Sequence, residues 1–132
     1  MAVTASESRL EARWRDILSV HARTMCEIDR VLHPHGLGAS DFEVLDRLAA
    51  ETPVEGDHCR VQNLVGQVHL SQSALSRLIG RLEKDGLVER SVCVEDRRGV
   101  WVALTPRGRA LHAEVRPLQR AALQRMLDAP AD

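Results

Sequence analysis

Residues 70–90, LSQSALSRLIGRLEKDGLVER, carry the pattern that decides the fold, because they contain an amphipathic helix with both ends marked. Ser71 is a typical N-cap residue, and Gly86 is a typical helix stop. Between them, apolar side chains recur at the three- and four-residue spacing of a single helix face. These are Leu75, Leu78, Ile79 and Leu82. The stretch predicts a short helix with one buried and one polar face.

The residues just before this helix predict a second one. Only His69 and Leu70 separate Ser71 from another run with the i, i+3, i+4, i+7 spacing of one helix face. Its members are Val61, Leu64, Val65 and Val68. Two short amphipathic helices joined by a tight turn are typical of a helix-turn-helix.

After Gly86 the apolar period changes to two, which indicates strands. Residues 87–94 (LVERSVCV) and 100–104 (VWVAL) are β-rich runs, and the charged, turn-prone segment 95–99 (EDRRG) lies between them. A hairpin that follows a helix-turn-helix is the winged form of the motif. Thr105 as N-cap and Pro106 at the first helical position then predict a final helix.

The N-terminal third predicts one long helix from about residue 6 to residue 32, which the HPHG of residues 33–36 ends. Ser40 and Glu43 have the spacing of a capping box for a further short helix. The apolar stripe of the long helix exceeds what a small monomer needs, which favours a partner helix from a second chain. The predicted fold is mainly α with a small β-hairpin (α+β), a winged helix-turn-helix with long N- and C-terminal dimerisation helices.

Length and composition indicate one domain of ordinary size, since the chain has 132 residues of which 44% are hydrophobic. We expect a cytoplasmic protein, because no secretory leader or membrane-spanning run is present. Cys26, Cys59 and Cys93 form no C-x-x-C pair, which fits a reducing compartment. The net charge is −1, yet residues 1–57 carry 6 basic and 11 acidic side chains and residues 58–132 carry 12 and 8. The C-terminal half is therefore the basic one, and a nucleic-acid partner is compatible with it.

The polar face of the 70–90 helix is the main functional signal. Arginine pairs with guanine, glutamine with adenine, and serine with phosphate or base edges, so such side chains suit a helix in the DNA major groove. They are Gln72, Ser73, Ser76, Arg77 and Arg81. A merely solvated helix face is the alternative. No G-x-S-x-G elbow, phosphate-binding glycine loop or H-E-x-x-H motif occurs, so the residues indicate no enzymatic reaction.

Residues 70–90 followed by residues 95–109 closely resemble the MarR family of bacterial transcription regulators. The family's wing pattern D-x-R with a downstream L-T-x-x-G is met by Asp96, Arg98, Leu104, Thr105 and Gly108. The resemblance covers nearly the whole chain. It implies a single domain over residues 1–132, with residues 1–36 and 105–128 as dimerisation helices and residues 40–104 as the DNA-binding lobe.

The resemblance also implies residue roles. Arg98 would enter the minor groove, Asp96 would orient it, and Arg97 would contact a phosphate, while residues 71–77, beginning at Ser71, would contact bases. The protein would be a homodimer that binds double-stranded DNA. Its binding site would be a pseudo-palindromic operator with half-site centres about 34 to 36 Å apart. Family chains usually have a further C-terminal helix, so dimerisation is expected to rest here on the first and last helices.

Three inputs could release a repressor of this kind from its operator. The resemblance implies a small-molecule effector in a cleft, for which Trp14, His21 and Phe42 are the candidate lining residues, although core or interface burial is the favoured explanation of their helical spacing. Oxidation of a thiol is the second input, with Cys26, Cys59 and Cys93 as the candidate residues. His58 and Arg60 could lower the pKa of Cys59.

Metal sensing is the third input, and the sequence disfavours it because no compact His/Cys pair has zinc-site spacing. We expect neither a metal nor another cofactor, and no membrane partner. A winged helix can also be a protein-interaction module that does not bind DNA. That alternative predicts a recognition helix and wing without exposed arginines, contrary to Arg77, Arg81, Arg97 and Arg98.

Overall fold

The computed structural model describes residues 4–92 and 99–128. Within them the chain forms α1 (Ala5–Leu32), a short 3-10 helix (His33–His35), α2 (Ala39–Glu51), β1 (Cys59–Arg60), α3 (Val61–Val65), α4 (Gln72–Lys84), β2 (Val88–Val92), β3 (Val100–Leu104) and α5 (Pro106–Leu127). The predicted class, mainly α with a small sheet, is confirmed. None of the helices in these two ranges is long and apolar enough to cross a membrane.

The helix-turn-helix is formed by α3 and α4, and its first helix is shorter than the periodicity predicts. α3 stops at Val65 because Gly66 is its C-cap, and the amide of Val68 then donates to the carbonyl of Leu64 over 3.0 Å. Val68 still reaches the core from the following turn. The prediction that only His69 and Leu70 join the two helices was therefore wrong, since the connection begins at Gly66.

The wing is the hairpin of β2 and β3, and both of its strands lie where the period-two pattern placed them. Its register pairs Val88 with Leu104 and Val92 with Val100. A third strand, β1, pairs antiparallel with β3 and gives the strand order β1-β3-β2. The predicted hairpin is therefore part of a three-stranded sheet. A strand of two residues has no period from which it could have been predicted.

The capping box predicted from Ser40 and Glu43 was wrong. α2 begins two residues earlier than this box predicts, with Gly38 as N-cap, and Asp41 accepts a hydrogen bond from the Gly38 amide over 2.8 Å. Asp29, on α1, accepts from the Ala39 amide over 2.7 Å. Two carboxylates thus satisfy the first N–H groups of α2, and one of them belongs to another helix.

The core lies between α2, α4 and α5. Its largest fully buried side chains in these helices are Phe42, Val44, Leu45, Leu48, Leu75, Ile79, Leu82 and Val115. α5 begins as predicted, with Thr105 as N-cap and Pro106 in its first turn. Only the C-terminal end of α1 joins this core, through Ile28 and Leu32. The N-cap Thr4 and residues 5–23 of α1 are exposed.

A half-buried polar cluster ties α2 to α5. Asp46 accepts from Nε2 of His112, with 2.8 Å between the atoms, and from the Arg120 guanidinium over 3.0 Å. Burial raises the pKa of Asp46, but the hydrogen bonds with His112 and Arg120 outweigh it, so its pKa is lowered. Phe42 stacks on the His112 ring at 5.6 Å between centroids. α2 and α5 are thus joined by a charged network as well as by apolar packing.

Candidate nucleic-acid interface

The outer face of α4, defined here as Gln72, Ser73, Ser76 and Arg77, is exposed along its whole length. The opposite face buries the predicted stripe of Leu75, Leu78, Ile79 and Leu82. Ser71 is the N-cap, and its hydroxyl accepts from the Ala74 amide over 3.1 Å. Ser71 therefore orients the first turn, while the outer face presents donors and acceptors to solvent.

The two arginines of α4 have different surroundings. Arg77 has no hydrogen bond or ion pair with any residue in the described ranges. Arg81, one turn later, forms an ion pair with Asp41 of α2, whose side chain is 11% exposed. Arg81 was predicted to be one of the DNA-binding residues of this polar face, whereas in the structure its guanidinium has a partner in the same lobe. Arg81 holds α4 against α2, and Arg77 is available to a ligand.

β2 is attached directly to α4 by Arg90. Nη2 of Arg90 donates to the Ser76 carbonyl over 3.1 Å, and the Arg90 amide donates to the Glu83 carboxylate over 3.2 Å. Gly80 makes this approach possible, because a Cβ at that position would lie 2.8 Å from Nη2 of Arg90. The wing is therefore held at a fixed distance from the outer face of α4.

The wing tip, with Asp96, Arg97 and Arg98, lies outside the described residues, and so does Cys93. Their roles stay predictions. The strands that lead to the tip are described, and the pairing of Val92 with Val100 shows that both run to the same end of the sheet.

Comparison with known proteins decides the family. The sequence model of the MarR family matches residues 39–100. The crystal structure of AbsC, a MarR family transcriptional regulator from Streptomyces coelicolor, superposes with a TM-score of 0.81 and 32% identity over 99% of this chain and 85% of AbsC. The chain belongs to the MarR family.

Two further relatives of this MarR-family chain are informative. Sco3205, a MarR family regulator from S. coelicolor solved in complex with DNA, has a TM-score of 0.81 and 26% identity over 99% of this chain and 79% of its own. YwhA of Bacillus subtilis (strain 168), an uncharacterized HTH-type transcriptional regulator, is 39% identical over 51 residues, 39% of this chain and 37% of YwhA. That local match thus spans well under half of YwhA.

The geometry of Thr105 and Gly108 explains the L-T-x-x-G motif of the MarR family. The Thr105 hydroxyl accepts from the Gly108 amide over 3.0 Å and donates to the Gly86 carbonyl over 2.6 Å, and the Thr105 amide donates to the Leu87 carbonyl over 3.1 Å. Gly86 has φ 77°, the left-handed conformation that favours glycine. The motif therefore fastens the exit of the wing and the start of α5 to the α4–β2 turn.

A cleft between α1, α2 and α5 is the candidate effector site, with a volume of about 610 Å³ at its wider end. Its lining includes His21, Met25, Ile28, Glu43 and Gln119. Of the three side chains predicted to line such a cleft, only His21 does so. Trp14 is 58% exposed on the free part of α1, and Phe42 is fully buried against His112. The predicted grouping of Trp14 and Phe42 with His21 was therefore wrong.

The pKa of the Cys59 thiol shifts in the direction opposite to the one expected from the sequence. Burial, and secondarily the Glu51 carboxylate, raises the pKa of the Cys59 thiol, whereas the sequence suggested that His58 and Arg60 would lower it. The Cys59 thiol donates to the Arg60 carbonyl, 3.3 Å away. Cys26 lies exposed on α1. Within the described ranges, no group of three or more His, Cys, Asp or Glu side chains could hold a metal ion.

Two residues of functional interest were missed. Gln119, 4% exposed, faces the cleft from α5. Its position four residues after Val115 and three before Ala122 marked it as a polar residue within the buried stripe of that helix. Arg60 lies on β1 beside the wing. No periodic signal pointed to Arg60, because its environment depends on β3, some forty residues later in the chain.

Proposed function

We propose that this MarR-family chain is a sequence-specific, DNA-binding transcription regulator, which acts as a homodimeric repressor. The observation that carries the proposal is the exposed outer face of α4, where Arg77 has no partner within the described residues. A polar helix face with an arginine near its N-terminal end can donate to guanine O6 and N7 in the major groove. The DNA complex of Sco3205 supports the same use of the fold.

Dimerisation is supported by the exposed part of α1. Leu10, Trp14, Ile17 and Leu18 of α1 are 64%, 58%, 52% and 45% exposed. At the far end of α5, Leu127 is 58% exposed. Contiguous apolar surface of this kind marks an interface, and a second copy of the chain is the partner that a palindromic site requires. Two copies would place two α4 helices on half-sites one helical turn apart.

The α1–α2–α5 cleft supports release by a small molecule. Its lining surface is mostly apolar, which is typical of sites for small organic ligands, and its polar residues are Arg13, Asp16, His21, Thr24, Glu43 and Gln119. Because α1 and α5 also carry the exposed apolar surface, a ligand between them would act on the spacing of the two α4 helices. A thiol-based signal is the alternative. The raised pKa of Cys59 disfavours that residue, so Cys26 is the thiol on which this alternative rests.

The experiment is selection of binding sites from a random duplex library, followed by affinity measurements with two variants. Arg77→Ala should cost about 1–3 kcal/mol and relax the preference at one base pair in each half-site. Arg81→Ala is the matched control, since it removes an arginine from the same helix but breaks a contact within the lobe. It should lower folding stability and leave the selected sequence unchanged. Recovery of no common sequence by the wild-type protein would contradict the proposal.

A further inference from the structure

Arg60 and Trp101 form a stacked pair at the base of the wing. They are cross-strand neighbours in the β1–β3 register, and the Arg60 guanidinium carbon lies 5.2 Å from the centroid of the Trp101 ring. Gly99 packs beside the pair, since a Cβ there would lie 3.8 Å from both Nε of Arg60 and Nε1 of Trp101. A guanidinium over an indole face is a cation–π contact, which fixes a long side chain that would otherwise sample many rotamers.

The pair borders a cleft of about 210 Å³ between α4 and the sheet. Arg60, Gly99 and Val100 line it from the sheet, and Gln72 and Ser76 line it from α4. Arg60 thus shares this cleft with two residues of the outer face of α4. Residue 60 is exposed to solvent, whereas Trp101 is half-buried beneath it.

The position of this cleft relative to DNA follows from the proposed function, on which the inference rests. If α4 lies in the major groove and the wing enters the adjacent minor groove, one sugar–phosphate strand separates the two elements. That strand has to cross the cleft between them. The side chain that Trp101 holds at the edge of the cleft is an arginine, which suits a phosphate in both charge and geometry.

We propose that Arg60 binds a phosphate of this strand and that Trp101 is the positioning residue that orients it. A guanidinium has five N–H donors in its plane, and stacking uses its face and none of those donors. A guanidinium stacked on Trp101 therefore keeps the planar geometry that suits a phosphate. A lysine at the same position would keep the charge but lose both the planar stack and the bidentate geometry.

The test measures affinity against salt for two fluorescent duplexes, one of selected sequence and one of random sequence. Arg60→Gln should weaken binding of both duplexes about tenfold, as expected for a charge-assisted contact. The slope of log K against log salt should become shallower by about 0.9 for each chain bound. Arg60→Lys should keep the slope and lose affinity. Arg116→Gln, which removes an exposed arginine on α5, is the matched control and should change neither quantity.

Trp101 is tested by a double-mutant cycle. Trp101→Leu should weaken binding about two- to fivefold without changing the salt slope, because it removes the orientation of Arg60 and not its charge. In the Arg60→Gln background the same change should have no further effect on affinity. Trp101→Phe keeps an aromatic face and should recover most of the loss, which separates positioning of Arg60 from a general packing effect. Thermal unfolding of each variant verifies that it is folded.

These measurements distinguish failure of the proposed function from failure of the role assigned to Arg60 or to Trp101. Equal wild-type affinity for the two duplexes would overturn the proposed sequence specificity, while the slope change of Arg60→Gln would still test the phosphate contact. An unchanged slope for Arg60→Gln, with wild-type binding intact, would overturn the Arg60 assignment alone. Additive effects of the Arg60 and Trp101 substitutions would overturn the positioning role of Trp101.

Discussion

Gly108 occupies a position where even one methyl group has no space. A Cβ added to this residue would lie 1.9 Å from the Leu87 carbonyl oxygen and 2.8 Å from its carbonyl carbon. Both atoms belong to the backbone, so no side-chain rotation can relieve the contact. The same oxygen accepts the hydrogen bond from the Thr105 amide. Gly108→Ala must therefore push α5 away from the α4–β2 turn or displace the Leu87 peptide.

The size of the effect can be worked out from three contributions. Overpacking costs about 1–3 kcal/mol and occasionally more, and a contact of 1.9 Å with backbone places this case at or above the top of that range. Loss of the hydrogen bond between Thr105 and Leu87 costs about 1 kcal/mol. The higher helix propensity of alanine offsets about 1 kcal/mol. We expect a net destabilisation of about 3 kcal/mol, a large fraction of the roughly 5–15 kcal/mol that stabilises a domain.

Urea unfolding followed by circular dichroism measures this difference. Gly66→Ala is the matched control, because Gly66 has φ −77° and ψ −12°, and a Cβ there meets no described atom within 4 Å. The control should be neutral or stabilising by up to about 1 kcal/mol. A Gly108→Ala protein within about 1 kcal/mol of wild type would show that the Leu87 peptide yields easily, and it would refute the steric explanation of the motif glycine.

Three further predictions concern the polar cluster around Asp46, the proposed dimer interface and the thiols. Asp46→Asn should destabilise the protein by about 1–3 kcal/mol at neutral pH. Because the pKa of Asp46 is lowered on folding, its contribution is present above the unfolded pKa and lost as the pH falls through the folded one. The difference between the two proteins in urea unfolding should therefore shrink below about pH 4, and a constant difference would contradict this. Ile17→Glu should convert the proposed dimer into a folded monomer in sedimentation velocity, and an unchanged sedimentation coefficient would place the interface elsewhere. Under native conditions, iodoacetamide should alkylate exposed Cys26 before buried Cys59 in peptide mass mapping, and the reverse order would contradict the raised pKa of the Cys59 thiol.

The sequence predicted best those elements whose boundaries are local. α4 begins at the N-cap Ser71 and ends just before Gly86, and both signals lie within a few residues of the helix that they delimit. Thr105 and Pro106 mark the start of α5 in the same way. The spacing of the apolar residues of α4 was sufficient to identify its exposed face, because a helix that packs by one face must expose the other.

The errors concern contacts between distant parts of the chain. The capping box predicted from Ser40 and Glu43 is absent from the start of α2, where Asp29 of α1 accepts from the Ala39 amide. Arg81 has the periodicity of an exposed residue, yet it pairs with Asp41, forty positions earlier. Neighbours in sequence also misled the expectation for Cys59, because burial against other elements affects its thiol more than His58 does. Each case depends on tertiary packing that a one-dimensional pattern does not contain.

The ties of α5 to the DNA-binding lobe limit how a signal could act. α5 is fastened to the α4–β2 turn through Thr105, to the end of α2 through the hydrogen bond from Arg109 to the Thr52 carbonyl over 2.8 Å, and to the middle of α2 through Asp46. These three anchors span four turns of the helix, so the lobe and this part of α5 behave as one body. α1 contacts the lobe where Asp29 accepts from the Ala39 amide over 2.7 Å, and it contacts the end of α5 where Glu27 accepts from Arg125 over 2.9 Å. We therefore expect a signal that changes the spacing of the two α4 helices in the proposed dimer to act between α1 and α5, where His21 and Gln119 line the cleft.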